Sequence, residues 1–200
     1  MAVAYLLGSL PFSVWVGKVF YKKDVREFGS GNAGATNTWR VLGWKAGLPV
    51  LLLDIAKGFT ATYIPYLFPI LTVDSEWLLW LRILCGSAAA LGHIYPLFAG
   101  FRGGKAVATL LGVVVGLMPL AALGSLVVFI LVMGISRMVS LGSLLAAISL
   151  PLMGFIMSAL VQPPLLIFSG LITILVFITH WKNIQRIIRG EESRVRLRRT

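Results

Sequence analysis

Long apolar segments alternate with short polar ones along the whole chain. Windows dominated by aliphatic and aromatic residues lie at 2–20, 46–70, 78–98, 106–118, 120–136, 141–160 and 164–181. The last window contains no Lys, Arg, Asp or Glu and has about the length that an α-helix needs to cross roughly 30 Å of hydrocarbon. The pattern predicts an all-α integral membrane protein with seven transmembrane helices, in a single polytopic domain over residues 1–200 with a basic tail at 182–200.

One apolar stretch, residues 106–136, is too long for a single ordinary span and is interrupted at Pro119. It could form one kinked helix or a hairpin of two helices. Arg102 and Lys105 precede it and Arg137 follows it, so the positive-inside rule places both ends in the cytoplasm and favours two crossings. The first helix of this hairpin would be short, and would need tilting, local thinning of the bilayer or burial by its neighbours.

The charged residues set the predicted orientation. Lys and Arg cluster after the first span and in the tail, whereas segments 71–77 and 161–164 contain neither, so we predict the N-terminus outside and the C-terminus in the cytoplasm. Only 12% of the residues are charged, against about 25% in soluble domains. The formal net charge of +11 is explained by cytoplasmic loops facing anionic head groups. Nucleic-acid binding would require an ordered basic domain, which the pattern does not indicate.

A glycine-rich polar stretch, GSGNAGATNTWR at residues 29–40, lies in the first predicted cytoplasmic loop. Glycines allow the backbone to approach a ligand closely, and successive N–H groups can form a nest for an anion. The hydroxyl and amide side chains add neutral donors, and Arg40 adds a planar group suited to phosphate. A turn with a helix cap would explain only some of these residues. The density of donors favours a phosphate-binding loop that includes Gly31 and Gly34.

A second candidate for anion binding lies in GHIYPLFAGFRGGKAVAT at residues 92–109. Gly103 and Gly104 are expected to expose backbone N–H groups beside Lys105, and a helix that begins just after them would direct its positive end at an anion. Neither glycine-rich segment is a nucleotide motif. The first matches G-x-G-x-x-G but does not follow a strand, and the second lacks the first Gly and the final Ser or Thr of a phosphate loop.

Four ionisable groups near or within the spans allow more than one interpretation. His180 and Asn183 are three residues apart at the end of the last predicted helix and therefore share a face, where His180 could act on substrate or cap carbonyl groups. His93, at another helix end, is equally open. Asp54 and Lys57 lie within a span, and we expect them to form an ion pair that holds helices together. With two histidines and no carboxylate cluster beside them, no metal site is expected.

Six motifs, in this order and over almost the whole chain, resemble those of the bacterial acyl-phosphate:glycerol-3-phosphate acyltransferases, the PlsY family. They are GSLPFSV, GSGNAGATNTWR, DIAKG, GHIYPLFAGFRGGKAVAT, SRMVSLGS and HWKNIQRIIRGEE. The resemblance implies a seven-helix enzyme of the bacterial inner membrane with its active site at the cytoplasmic face. Such an enzyme transfers a fatty acyl group from acyl phosphate to the 1-hydroxyl of glycerol 3-phosphate. Its products, in phospholipid biosynthesis, are lysophosphatidic acid and phosphate.

The resemblance also implies roles for individual residues of this sequence. The residues with implied catalytic roles are Ser30, Lys105, His180 and Asn183. Those with implied roles in binding substrate or phosphate are Asn32, Thr36, Asn37, Arg40 and Ser143, beside Gly31, Gly34, Gly103 and Gly104 of the two loops. No cofactor is expected. The expected partners are the two substrates and membrane lipids, with no nucleic acid and no obligate protein partner.

The chemistry expected from these residues is direct attack on acyl phosphate. The sequence offers no Cys in a polar context and no H-x-x-x-x-D pair, so a covalent intermediate is not expected. Backbone N–H groups with Lys or Arg would stabilise the departing phosphate, and proximity would supply much of the rest. The proton could pass to His180 or to the phosphate of glycerol 3-phosphate, and we favour the phosphate. The alternative function is transport of a phosphorylated metabolite, which the short outer loops do not favour.

Overall fold

The computed structural model describes residues 1–68, 75–157 and 161–195. Over these ranges the regular secondary structure is α-helix with short 3-10 turns, and no β-strand is present. The all-α prediction is therefore confirmed for the described residues. The helices group into two compact units, Met1–Leu117 and Met118–Thr200.

The first unit is built around one central helix. Its described helices are α1 (Ala2–Gly8), α2 (Phe12–Tyr21), α3 (Ala35–Leu42), α4 (Trp44–Tyr63), α5 (Ser75–Ile94) and α6 (Val107–Leu117). Helix α4 contacts each of the other five. A Cβ on Gly58 of α4 would clash with the carbonyl oxygen of Thr109, and one on Gly112 of α6 with that of Ile55. These glycines let the α4 and α6 backbones lie against each other, as small residues do in membrane helix pairs.

The second unit places one helix between two others. Its described helices are α7 (Pro119–Ser136), α8 (Val139–Ile156), α9 (Pro163–Thr179) and α10 (Trp181–Ile188). Helix α8 packs against both α7 and α9, and the short α10 contacts α8 and α9. Beyond α10 the chain returns towards the end of α7, because the Val195 N–H donates to the carbonyl of Arg137 at 2.7 Å.

Several helices are long and apolar enough to cross a membrane. Within the described residues these segments are Trp44–Leu67, Glu76–Ala99, Pro119–Ser136 and Val139–Ile156, and the number rises from four to six if each of two bent helix pairs counts as one span. Large apolar side chains lie on the outside, including Ile135, which is 86% exposed. An apolar exterior on helices of this length is typical of a protein that resides in a bilayer.

The chain bends within the first predicted span and at the end of the last one. The segment predicted at 2–20 is divided into α1 and α2, which are bent by 40°. Pro11 precedes α2, and because proline has no N–H it cannot continue the hydrogen bonding of α1. The segment predicted at 164–181 ends at Thr179, where α10 turns away by 64°. The sequence pattern missed the first bend because a hydropathy window averages over the short Gly-Ser-Leu-Pro turn at residues 8–11, whereas it ended the last span at residue 181, close to the second bend.

The apolar stretch around Pro119 is divided as predicted. Helix α6 ends at Leu117, and α7 begins with Pro119 at its first position, which suits a residue that lacks an N–H. Helix α6 has 11 residues, or about 16 Å at 1.5 Å per residue, so it is even shorter than expected. Residues 69–74, which hold the end of the second predicted span and part of an outer loop, lie outside the described ranges, as do 158–160 and 196–200.

Candidate active site

The glycine-rich loop between α2 and α3 is organised by a buried amide. Asn37, in the first turn of α3, is 2% exposed. Its Oδ1 accepts the Ser30 N–H at 2.8 Å, and its Nδ2 donates to the carbonyls of Val25 and Phe28 at 2.7 and 3.1 Å. These bonds occupy the side-chain amide, so Asn37 shapes the loop from inside. The predicted role of Asn37 in binding substrate stays a prediction.

The other predicted residues of this loop lie nearer the surface of the first unit. Ser30, Gly31, Thr36 and Arg40 are exposed, and Asn32 and Gly34 are half-buried. The backbone turns sharply at Gly31, whose φ is +71°, a conformation that glycine adopts without strain. The exposed groups of this loop thus include hydroxyls, backbone and a guanidinium, which are kinds of group that bind phosphate.

The double-glycine loop lies between α5 and α6 and is closely fitted to His93. Gly104 donates its N–H to the carbonyl of His93 at 3.1 Å, so this amide has a partner within the protein, and its predicted role as a donor to an anion stays a prediction. A Cβ on Gly104 would clash with Nε2 of His93. Lys105 is half-buried, and Ala106 adopts a left-handed φ of +60°, which is uncommon for a residue other than glycine. Helix α6 begins directly afterwards, as predicted.

The two loops meet, although they are far apart in sequence. The Ala33 N–H donates to the carbonyl of Gly103 at 3.4 Å. The Ala33 carbonyl oxygen lies 2.7 Å from the position of a Cβ on Gly104, so only glycine fits there without displacement. The structure thus joins the two predicted phosphate-binding loops on the first unit through their backbones.

A buried polar cluster lies beneath these loops. The predicted ion pair is confirmed, since Lys57 Nζ is 2.8 Å from Asp54 Oδ1. His93 and Thr109 join the pair, which the sequence did not indicate. Within the described ranges no group of three or more His, Cys, Asp and Glu side chains is arranged to hold a metal ion.

On the second unit, His180 lies at the junction of α9 and α10 and is 3% exposed. Its Nδ1 is 2.8 Å from the carbonyl oxygen of Val176. Because a carbonyl only accepts, this distance assigns the proton to Nδ1, and in the neutral ring the lone pair is then on Nε2. The backbone of α9 therefore sets both the orientation and the tautomer of the imidazole.

Asn183 is held by a carboxylate that the sequence analysis did not select. Its Nδ2 donates to Glu192 Oε1 at 2.7 Å, and the hydroxyl of Ser140 donates to the same oxygen at 2.8 Å. Arg186 Nε donates to Glu192 Oε2 at 2.9 Å. Burial raises the pKa of Glu192, but the hydrogen bonds from Arg186, Asn183 and Ser140 outweigh burial and hold this pKa below its ordinary value. The available signal was the pair of carboxylates, Glu191 and Glu192, within an otherwise basic tail.

Ser143 lies one turn after Ser140 on α8 and is 4% exposed. Its hydroxyl donates to the carbonyl of Val139 at 2.9 Å, a bond that leaves the oxygen able to accept. The residues of the second unit that were predicted to act in the site are therefore buried and hydrogen-bonded, whereas most of those in the glycine-rich loop are exposed.

The family model described as "Glycerol-3-phosphate acyltransferase" matches residues 1–190 of the chain. The chain belongs to this family. A glycerol-3-phosphate acyltransferase of Listeria welshimeri is 48% identical over 194 residues, covering 97% of this chain and 94% of the relative. One of Enterococcus faecalis is 45% identical over 202 residues, covering 98% of this chain and 90% of the relative.

The fold also matches solved structures of this family. The crystal structure of PlsY, an integral membrane glycerol 3-phosphate acyltransferase, in its glycerol 3-phosphate form aligns with a TM-score of 0.86 at 41% identity, covering 98% of this chain and 93% of that one. The lysophosphatidic acid form aligns with a TM-score of 0.82 at 41% identity, covering 96% and 92%. The resemblance inferred from the six motifs is thus confirmed.

Proposed function

We propose that the protein transfers a fatty acyl group from acyl phosphate to the 1-hydroxyl of glycerol 3-phosphate, giving lysophosphatidic acid and inorganic phosphate. The observation that carries this function is the family match over residues 1–190, in a chain whose two glycine-rich loops are joined at Ala33 and Gly103. An acyl substrate accounts for apolar helices, and phosphate on both substrates accounts for the loops. The family match does not favour transport.

The reaction proceeds by direct displacement. The hydroxyl oxygen of glycerol 3-phosphate bonds to the acyl carbonyl carbon, and the bond between that carbon and the phosphate oxygen breaks, so phosphate leaves with the electron pair. Arg40, Lys105 and backbone N–H groups of the two loops neutralise phosphate charge on the first unit, with the neutral donors Ser30, Asn32 and Thr36 beside them. Preorganised donors of this kind stabilise charge in the transition state without reorganisation.

His180, Asn183 and Ser143 act in the same reaction, an assignment that rests on the motif resemblance. Nδ1 of His180 donates to the Val176 carbonyl, a neutral acceptor that raises the basicity of the imidazole less than a carboxylate in the same place would. His180 therefore positions substrate, and the hydroxyl proton passes to the phosphate of glycerol 3-phosphate, whose second pKa lies near 6 as in other phosphomonoesters.

The whole chain works as one polytopic domain of the bacterial inner membrane, with seven spans and its chemistry at the cytoplasmic face. Support comes from the basic loops and from the break between α6 and α7. Cysteines introduced singly at Gln162 and Ser193, both exposed, are expected to react with a membrane-impermeant maleimide from opposite sides of sealed vesicles, Gln162 from outside. The one native cysteine, Cys85, is buried. Labelling of both positions from the same side would contradict this topology.

The function itself is tested with purified protein in detergent, where no compartments exist and transport cannot generate a product. Incubation with acyl phosphate and glycerol 3-phosphate should yield lysophosphatidic acid, identified by mass spectrometry. Lys105→Ala should yield far less lysophosphatidic acid. The matched control is Arg102→Ala, which also removes a positive charge but at an exposed position of the same loop. Absence of lysophosphatidic acid from wild-type reactions would contradict the proposal.

A further inference from the structure

The buried polar cluster of the first unit links three helices. Asp54 and Lys57 on α4 are 2% and 3% exposed, His93 at the end of α5 is 7% exposed, and Thr109 on α6 is fully buried. His93 Nδ1 lies 3.5 Å from Asp54 Oδ1 and 3.2 Å from Thr109 Oγ1. Lys57 Nζ also donates to the carbonyl of Leu10 at 3.0 Å, between α1 and α2. The polar atoms of the cluster thus have defined partners.

His93 connects this cluster to the phosphate-binding loops. One side of its ring faces Asp54 and Thr109, while Nε2, on the opposite side, lies where it would clash with a Cβ on Gly104. Its carbonyl accepts the Gly104 N–H at 3.1 Å. Rotation of the ring would therefore displace Gly104, and with it Lys105, which is the next residue.

Helix packing alone does not explain this arrangement. A buried ion pair is expensive to desolvate, and apolar residues of similar volume often stabilise a core as well or better. A hydrogen-bonded polar cluster, unlike apolar packing, fixes each of its side chains in one orientation. The orientation that the cluster fixes most directly is that of the His93 ring.

We propose that Asp54, Lys57 and Thr109 are positioning residues for acyl transfer, which fix the His93 ring and through it the backbone of the double-glycine loop and Lys105. This inference rests on the proposed function, because it takes the loop as a phosphate-binding element. None of these side chains needs to touch substrate. Their effect is on the geometry of the groups that do.

The test is Thr109→Val, which removes the hydroxyl and nearly keeps the side-chain volume. Thr62→Val is the matched control, because Thr62 is equally buried and its hydroxyl donates to the Phe59 carbonyl of its own helix. Loss of one hydrogen bond to His93 should raise the KM for one of the two phosphate substrates by about two- to tenfold, with a smaller change in kcat. That substrate should be the one whose KM also rises in Lys105→Ala. Thr62→Val should leave both KM values unchanged.

A double-mutant cycle separates positioning from general destabilisation. If Thr109 acts through the loop, Thr109→Val should change KM much less in a Lys105→Ala background than in the wild type. A second variant, His93→Asn, removes the ring contact with Gly104 and should raise the same KM by more than tenfold while the thermal unfolding temperature in detergent stays near that of Thr62→Val.

Three results would overturn the inference. The first is that both Thr109→Val and His93→Asn keep the wild-type KM values. The second is that Thr109→Val and Thr62→Val change KM equally. The third is that the changes in KM caused by Thr109→Val and Lys105→Ala are additive in the cycle. Failure of the proposed function is distinguishable, because the wild-type protein would then make no lysophosphatidic acid at all. An active wild type with an unaffected Thr109→Val variant contradicts only the positioning role.

Discussion

Removal of the Glu192 carboxylate should destabilise the second unit. Ser140 on α8 and Asn183 on α10 both donate to Glu192 Oε1, and Arg186 donates to Oε2. Glu192 thereby ties the segment after α10 to two helices, and it holds the amide of Asn183 in one orientation. Glu192→Ala removes this acceptor without adding any other group.

The size of the loss follows from the burial of the donors. Ser140 and Asn183 are 6% and 7% exposed, and a buried donor left without a partner costs about 1–3 kcal/mol. The Arg186 side chain is 41% exposed, so its ion pair adds at most about 1 kcal/mol. The two donors and the ion pair together cost about 2–7 kcal/mol, which at about 2–4 °C per kcal/mol for a chain of this length lowers Tm by roughly 4–28 °C.

The assay is thermal unfolding of the purified protein in detergent, with Glu191→Ala as the matched control because Glu191 is the exposed neighbour. Glu192→Gln isolates the charge. Since the folded-state pKa of Glu192 lies below its ordinary value, ionised Glu192 stabilises the fold above that value, and this contribution is lost as pH falls through the folded-state pKa. The difference in Tm between wild type and Glu192→Gln should therefore be full at pH 7 and shrink below about pH 4.

Equal melting temperatures of the Glu192→Ala and Glu191→Ala proteins would refute this reasoning, since the buried donors would then have found other partners at no cost. A Glu192→Gln difference that grows as the solution becomes more acidic would refute the sign of the pKa effect. A large fall in Tm together with full acyltransferase activity would show that the orientation of Asn183 is irrelevant to turnover.

Further predictions concern the two loops and the imidazole. Lys105→Ala should lower kcat/KM by about ten- to a hundredfold, because a charge-assisted hydrogen bond contributes about 1.5–3 kcal/mol; near-normal kinetics would remove Lys105 from the site. His180→Gln should retain the limb of the pH–rate profile near pH 6, as expected if the substrate phosphate accepts the proton, and loss of that limb would make His180 the base. Gly104→Ala should lower activity more than tenfold, since its Cβ would clash with His93, whereas Gly170→Ala, with nothing within 4 Å, should be fully active; equal activities would contradict the close fit.

Hydropathy predicted the helical class and most of the apolar segments because burial in lipid demands continuous apolar residues. The sequence also predicted the break near Pro119, from the proline together with the basic residues at both ends of the apolar stretch. Hydropathy missed the bend after α1 because a window of about 19 residues averages over the short Gly-Ser-Leu-Pro turn at residues 8–11. It ended the last span close to Thr179, where the sequence becomes polar, but a sliding window does not record the change of direction into α10.

The candidate site was predictable as separate motifs but not as an assembly. Gly-rich composition and cationic residues indicated both loops, and the i to i+3 spacing indicated the pair Asp54 and Lys57. The contact of Ala33 with Gly103 and that of Ser140 with Glu192, 52 residues apart, depend on tertiary packing and leave no local pattern. The internal bonds of Asn37 were not predictable either, because an amide in a polar loop has the same composition whether it faces inwards or outwards.

The central claim is that this chain uses acyl phosphate as its donor. The most direct measurement supplies purified protein in detergent with labelled glycerol 3-phosphate and either acyl phosphate or acyl-CoA, and counts lysophosphatidic acid and inorganic phosphate in the same reaction. We predict that acyl phosphate alone supports turnover and that one phosphate is released for each lysophosphatidic acid formed. Product formed from acyl-CoA but not from acyl phosphate, or phosphate released without lysophosphatidic acid, would contradict the account.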